Sequence, residues 1–137
     1  MKKRSLTEDY LLRSQHRLAA IELLYKRKSW ADVVCEAQKV VELALKALLK
    51  HFNIEIPWIH DVSQILKDNE HLFSSPLKKY VTKLSQISRY MRRDLELSFY
   101  GSEDLTPSEF YKESDAKKAK EDATWLVQTV LATLAHK

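Results

Sequence analysis

The sequence predicts an all-α fold, namely an up-down-up-down four-helix bundle with additional short helices in the connecting loops. Two observations lead to this prediction. The 137 residues include one glycine and three prolines, whereas sheets with tight turns usually need more of both. In addition, four long segments repeat apolar residues at helical spacing. The length suits one domain, over residues 1–137, that is large enough to bury a core.

The first helix is predicted over residues 6–26. Ser5 and Glu8 have the spacing of a capping box, in which side chains satisfy the free N–H groups at a helix start. One face of the segment repeats at intervals of three or four residues and should be buried; it comprises Tyr10, Ser14, Leu18, Ile21 and Tyr25.

The second helix is predicted over residues 30–52, and its apolar side is unusually wide. Wound as a helix, the apolar residues fill an arc of roughly 200°. They are Val33, Ala37, Val40, Val41, Ala44, Leu45, Leu48, Leu49 and Phe52. One neighbouring helix cannot cover so wide an arc, so this helix should be central and contact several helices or a second subunit.

Two further long helices are predicted over residues 77–99 and 115–135. The single glycine, Gly101, should end the first of these, as glycine often does at a helix C-terminus. A short helix is expected after His60, and another after Thr106, which begins a second capping-box pattern. The face of the last helix contains Ala116, Ala119 and Ala123, which predicts close approach to a neighbouring helix.

Composition restricts the possible functions. The net charge of +4 and the pI of about 9.1 permit contact with nucleic acid or an acidic partner. Cys35 is the only cysteine, so an intrachain disulfide is excluded, and no zinc-type Cys/His cluster is present. We therefore predict no metal and no cofactor. No segment approaches the roughly 20 apolar residues of a membrane-spanning helix, so we expect no membrane partner and a cytoplasmic location.

The segment "SRYMRRDLELSFYG" combines three arginines, Arg89, Arg92 and Arg93, with aromatic residues that include Tyr100. Three interpretations are open. The arginines can belong to a solvated face with ion pairs, each worth about 0.2–0.5 kcal/mol. They can bind phosphate or an acidic partner, or they can take part in catalysis. The neighbouring aromatic residues offer stacking surfaces for a base.

The segment "CEAQKVVELALKALLKHFNIEIPWIHDVSQIL" resembles the HEPN domain, a small all-helical nucleotide-binding or ribonuclease-like domain. Glu42 and the run from Lys46 to Leu49 match a family pattern "EKALKALL". His60, followed by Val62, Ile65 and Leu66, is similar to the family's "H-x-L…L". The tyrosine-glycine after the third helix and the "DA" that opens the last helix extend the resemblance to nearly the whole chain.

This resemblance implies a helical bundle that commonly forms a homodimer. Many relatives pair with a small nucleotidyltransferase, often as toxin and antitoxin, and others cut RNA with an arginine and a histidine separated by four to six residues. The candidate residues for binding a nucleotide, RNA or a partner are Glu42, Lys46, His60, Arg89, Arg92, Arg93 and Tyr100.

The chain departs from the ribonuclease motif, because no histidine occurs between His71 and His136. The arginines are therefore present without their histidine. Tyr100 is a poor substitute, since an unperturbed tyrosine has a pKa of about 10. Our leading hypothesis is a HEPN-type protein that binds a nucleotide, RNA or a partner nucleotidyltransferase without the usual Arg/His pair. The alternatives are a metal-independent endoribonuclease with a divergent active site and a non-enzymatic oligomeric adaptor.

Overall fold

The computed structural model describes residues 5–56, 61–93, 100–101 and 104–135, apart from the side chain of Arg93. Within these ranges the regular structure is helical and contains no strand. It consists of α1 (Leu6–Lys26), α2 (Trp30–His51), α3 (Ser63–Asp68), a 3₁₀ turn (Glu70–Leu72), α4 (Leu77–Arg93), α5 (Pro107–Phe110) and α6 (Glu113–Ala135). The prediction of an all-α fold with short helices between four long ones is confirmed. The up-and-down order of the long helices stays a prediction.

Helix α2 is the centre of the fold, as its wide apolar arc predicts. It contacts α1, α4 and α6. Its buried residues are Ala31, Val33, Val34, Cys35, Ala37, Gln38, Val40, Val41, Ala44, Leu45, Ala47, Leu48 and Leu49. Every predicted inner residue from Val33 to Leu49 belongs to this set, and Phe52 packs against the core at its edge. Contacts within the chain therefore cover most of the arc.

Helix α1 begins where the capping box places it. The backbone N–H of Glu8 donates to Ser5 Oγ at 3.1 Å. Ser14 and Ile21 are buried, and the Ser14 hydroxyl donates to the carbonyl of Leu11 at 2.7 Å. A serine can therefore occupy the inner face of α1 without leaving a polar group unsatisfied.

Helix α4 is strongly amphipathic. Its buried apolar residues are Leu77, Val81, Leu84, Ile87 and Met91, and the same face also buries Ser85 and Ser88. The predicted continuation over residues 94–99 lies outside the described residues. Gly101 has a φ of +75°, and a Cβ there would meet Pro107 Cδ at 2.6 Å. Both observations explain why this position requires glycine.

The starts of the last two helices agree only in part with the sequence prediction, since that of α6 differs. The Thr106 hydroxyl accepts from the N–H of Glu109 at 3.4 Å and donates to its carboxylate at 2.7 Å, which confirms a capping box at α5. Helix α6 starts at Glu113, two residues before the predicted Asp115. The reason is that Asp115 accepts from the N–H of Lys112 at 2.9 Å and so caps the helix from inside its first turn.

Candidate functional site

The exposed side of α4 is a row of cationic side chains, which we call the basic crest. It consists of Lys78, Lys79, Lys83, Arg89 and Arg92, all exposed. Counting Arg93, the 17 residues of α4 include six cationic and no acidic residues. Because the whole chain has a net charge of +4, the rest of the chain carries −2. Helix α4 alone therefore carries a net charge of +6, which is larger than that of the whole chain.

The basic crest is long, and the helix that carries it is packed against the core. A helix of 17 residues extends about 25 Å at 1.5 Å per residue. The opposite face of α4 is buried against α2, α3 and α6. The cationic side chains are flexible, but the helix that spaces them is part of the core.

Two predicted site residues, Glu42 of α2 and Arg92 of α4, line one cavity of about 130 Å³. The other residues of its lining are Gln38, Lys39, Val41, Ser88 and Met91. The structure thus brings together a carboxylate and a guanidinium that stand 50 positions apart in the sequence. This proximity was not derivable from the periodicity of either helix.

Glu42 and Lys46 form an ion pair in which Lys46 Nζ lies 3.1 Å from Glu42 Oε1. Their side chains are only 22% and 18% exposed, respectively. The pair is therefore partly buried between helices, although an i,i+4 pair of this type is usually solvated. Six residues earlier, Glu36 accepts from Lys39 at 3.2 Å and from Arg17 of α1 at 3.0 Å. Charged side chains of α2 thus form ion pairs at both Glu36 and Glu42.

The start of α3 is fixed to α4 by a polar network around Asp61. Asp61 Oδ1 accepts from the N–H of Ser63 at 2.9 Å and from the Ser88 hydroxyl at 3.0 Å. Ser88 Oγ in turn accepts from the N–H of Val62 at 3.1 Å. One turn earlier on α4, the Ser85 hydroxyl donates to the carbonyl of Ser63 at 3.3 Å. The two serines on the buried face of α4 thus provide hydrogen-bond partners for backbone groups at the start of α3.

These contacts determine the protonation of Asp61. Partial burial acts to raise the pKa of its carboxyl, but hydrogen bonds from Ser63 and Ser88 and the charge of Arg89 lower the pKa below the ordinary 3.8. The net shift is downward because hydrogen bonds and a nearby cation favour the charged form. Asp61 is therefore ionised at neutral pH and places a negative charge near Arg89.

The sequence did not single out Asp61. The available signal was the position of Ser85 and Ser88, which fall on the apolar face of α4 three residues apart. Polar side chains on a buried face need partners there. That requirement indicates a second element with free backbone groups, although it does not identify which one.

The cavity does not include every predicted site residue that the structure describes. Tyr100 is 76% exposed and is not part of the lining. His60 and the side chain of Arg93 lie outside the described residues. Among the residues that the structure describes, the cavity lining includes no histidine, and no group of three or more potential ligands could hold a metal ion.

Comparison with known proteins identifies the fold and the family. The chain is similar to the crystal structure of an archaeal HEPN homologue with a TM-score of 0.69 and 21% identity, over 96% of this chain and 98% of that one. At this identity the likeness concerns the fold. No curated protein matches the chain significantly. The HEPN domain family matches residues 7–133, which is nearly the entire length. The chain therefore belongs to the HEPN domain family.

Proposed function

We propose that this HEPN-domain protein binds RNA through the basic crest, and that it does so without the Arg/His ribonuclease pair. The observation that carries this proposal is the charge of α4, which has six cationic and no acidic residues. Taken together, the other residues have a net charge of −2, so α4 has an excess of positive charge over the chain as a whole. A local row of cations on a helix surface is the electrostatic pattern that favours a polyanion.

The geometry of the crest suits a phosphate backbone. Lysines and arginines recur along about 25 Å of a helix whose other face is in the core. Each cation that neutralises a phosphate releases a counterion, and this release supplies much of the affinity for nucleic acids. Arg89 and Arg92 can in addition make paired hydrogen bonds to phosphate oxygens.

Binding fits the described residues better than cleavage. Metal-free cleavage of RNA requires a group that takes a proton from the 2′-hydroxyl and a group that protonates the leaving oxygen. Arginine cannot serve in either role, because it stays protonated at any relevant pH. The pKa of Asp61, the carboxylate near Arg89, is lowered by its hydrogen bonds, so Asp61 is a weak base and has no proton to donate near neutral pH. Arg89 and Arg92 can therefore bind a phosphate, but they cannot transfer a proton.

The other properties that the family resemblance implies stay predictions. They are a homodimer, a nucleotide ligand and a nucleotidyltransferase partner in a toxin–antitoxin pair. An acidic surface of such a partner would be attracted by the same crest. In the described residues no helix is long and apolar enough to cross a membrane.

Fluorescence anisotropy with a short labelled single-stranded RNA, repeated over a range of salt concentrations, tests the proposal. We expect affinity to fall linearly on a log–log plot against salt. Arg89→Ala and Arg92→Ala should each reduce the magnitude of the slope by about 0.7, the value for one phosphate contact on a single strand. Lys50→Ala is the matched control, since Lys50 is an exposed cation at the end of α2.

Two results would contradict the proposal. If RNA does not bind, or if the slope is the same in both arginine variants, the crest is not an RNA surface. If the RNA is shortened on a denaturing gel by the wild type and left intact by Arg92→Ala, the endoribonuclease alternative is correct instead.

A further inference from the structure

A cavity of about 660 Å³ lies between the first turns of α4 and the C-terminal half of α6. Its lining includes Leu77 and Tyr80 on α4, and Trp125, Gln128 and Ala132 on α6. None of the predicted site residues takes part. A cavity of about 300–1,000 Å³ holds a drug-sized group, so this one can take a few side chains of a larger partner. We call this cavity the aromatic groove.

The charged residues of α6 are confined to its first half. Most of residues 113–122 are charged, whereas none of residues 123–135 is. Burial does not account for this difference, because Gln128 and Ala132 are exposed and Trp125 is half-buried. An exposed helix face without charge is typical of the centre of a protein–protein interface, where charged residues are depleted and aromatic residues enriched.

The threonines of this face need no partner for their hydroxyl donors. The hydroxyls of Thr129 and Thr133 donate to the carbonyls of Trp125 and Thr129, at 2.9 Å in each case. Bonds of this kind satisfy the donors within the helix. Apolar side chains of a partner can therefore cover this face without leaving either hydroxyl donor unsatisfied.

Two aromatic rings join the walls of the groove. The centroids of Tyr80 and Trp125 are 5.4 Å apart, and the rings meet edge to face. Both side chains line the groove, and both residues are half-buried, so each keeps surface that a partner can contact. Tryptophan and tyrosine are enriched among the residues that dominate the binding energy of interfaces. We therefore expect these rings to receive the anchor side chain of a partner.

The α4 side of the groove is positively charged. Lys79 Nζ lies 5.1 Å from the centroid of Tyr80, and Lys83 Nζ lies 3.8 Å from that of Trp125. Within the described part of the chain, the lining of the groove includes no carboxylate. A complementary partner therefore has acidic residues along the edge that faces α4 and uncharged residues along the edge that faces α6.

We propose that the aromatic groove is a docking site for an amphipathic helix of another protein, with apolar anchors on one face and acidic residues along one edge. Helices bind grooves through anchors at i, i+3, i+4 and i+7. A second copy of this chain fits less well, since a two-fold contact joins identical patches and this patch has lysines without carboxylates. RNA fits less well, because the α6 wall has no cation to neutralise phosphates. The proposal goes beyond RNA binding, since the groove does not involve Arg89 or Arg92.

Selection from a displayed library of helical peptides tests the proposal. Each peptide has leucine, phenylalanine or methionine at the anchor positions, and glutamate, lysine or glutamine at random along both edges. We expect the wild-type protein to enrich peptides with glutamate along one edge. The Lys79→Glu/Lys83→Glu double variant should instead enrich lysine along that edge, because it reverses the charge that the partner must match.

Fluorescence anisotropy with one enriched, labelled peptide measures the contribution of the α6 wall. Ala132→Glu should weaken binding about tenfold or more, because the interface would bury a charge without a partner. Ala19→Glu is the matched control, since Ala19 is an exposed alanine of α1, and it should bind like the wild type. The Arg89→Ala/Arg92→Ala double variant should also bind unchanged, which separates this site from the RNA surface.

Several results would overturn the proposal. A selection that enriches no peptide, or that shows no preference for glutamate, excludes an acidic helix as the occupant. Equal peptide affinity of wild type and Ala132→Glu would place the interaction outside the groove. Without peptide binding, self-association in analytical ultracentrifugation that Ala132→Glu abolishes would identify a second copy as the occupant. Loss of RNA binding in the same variant would identify RNA instead.

Discussion

The cationic side chains on the two sides of α4 have different neighbours. On the side towards α2 and α3, Arg89 is close enough to ionised Asp61 to lower its pKa, and Arg92 shares a cavity with Glu42. On the side towards α6, Lys79 and Lys83 lie over the rings of Tyr80 and Trp125. A carboxylate cancels positive charge, whereas a ring attracts a cation without carrying net charge. The cations of α4 therefore have carboxylates as neighbours on the first side and aromatic rings as neighbours on the second side.

Polar groups that stabilise the fold are thus distinct from polar groups that a ligand can contact. The Asp61 network holds α3 on α4 through hydrogen bonds that are largely hidden from water. The lysine–ring contacts are at the surface, where a ligand can reach them. We expect loss of the hydrogen-bonded groups on the first side to change stability most, and loss of exposed cations on either side to change binding most.

Ser88→Ala should give the largest loss of stability. Ser88 is 3% exposed, and its hydroxyl serves both Asp61 and the N–H of Val62. Its removal leaves a buried donor and a charged acceptor short of a partner, which costs about 1–3 kcal/mol. Urea denaturation measures this loss.

Thr82→Ala is the control for Ser88→Ala, because Thr82 is exposed on the same helix and should change stability by less than about 0.5 kcal/mol. Equal midpoints for the two variants would mean that the Asp61 network does not stabilise the fold, and the proposed contrast between the sides would be lost.

Asp61→Asn should have an intermediate effect that depends on pH. The amide can still accept the hydrogen bonds but without charge, so we expect a loss of about 1 kcal/mol near neutral pH. The pKa of Asp61 is lowered in the folded state from 3.8. The stability it contributes is therefore present above the unfolded pKa and is lost as pH falls through the lower folded pKa.

The measurement for Asp61→Asn is denaturation at about pH 7 and at about pH 3. The difference between wild type and variant should shrink at the acidic pH. A difference of the same size at both values would show that the charge of Asp61 is not the stabilising property.

Lys83→Gln should have the smallest effect on stability. The substitution keeps most of the aliphatic chain and removes the ammonium group from the Trp125 ring, which lies 3.8 Å away. Exposed cation–π contacts contribute about 0.5–1 kcal/mol, so thermal denaturation should show a small decrease in Tm. Lys50→Gln, on an exposed end of α2, should leave Tm unchanged. A loss as large as that of Ser88→Ala would mean that the contact between Lys83 and Trp125 is chiefly structural.

The sequence predicts the helices well because the relevant signals are local. Caps such as Ser5 and Thr106 and the apolar spacing of α2 act within a few residues. The start of α6 was misplaced because Asp115 resembles a cap in sequence but caps from inside the helix. Local patterns thus determine element type and approximate length.

The candidate site was less predictable, since its contacts join distant segments. The proximity of Glu42 and Arg92 and the partners of Asp61 depend on how α3 and α4 are placed against each other and against α2. Trp125 was not selected, because an isolated tryptophan in a helical pattern looks like core. Only its packing against Tyr80 and Lys83 distinguishes it.

The buried residues of α6 change in size along the helix, from Ala116, Ala119 and Ala123 to Leu126, Val127 and Val130. Small side chains allow two helices to approach closely, whereas larger side chains hold them farther apart. The larger cavity beside α6 is at that end, about 660 Å³ against about 290 Å³ near Lys118 and Asp122. We therefore expect a change in the bulk of Leu126, Val127 or Val130 to alter the volume of this cavity, although none of the three lines it.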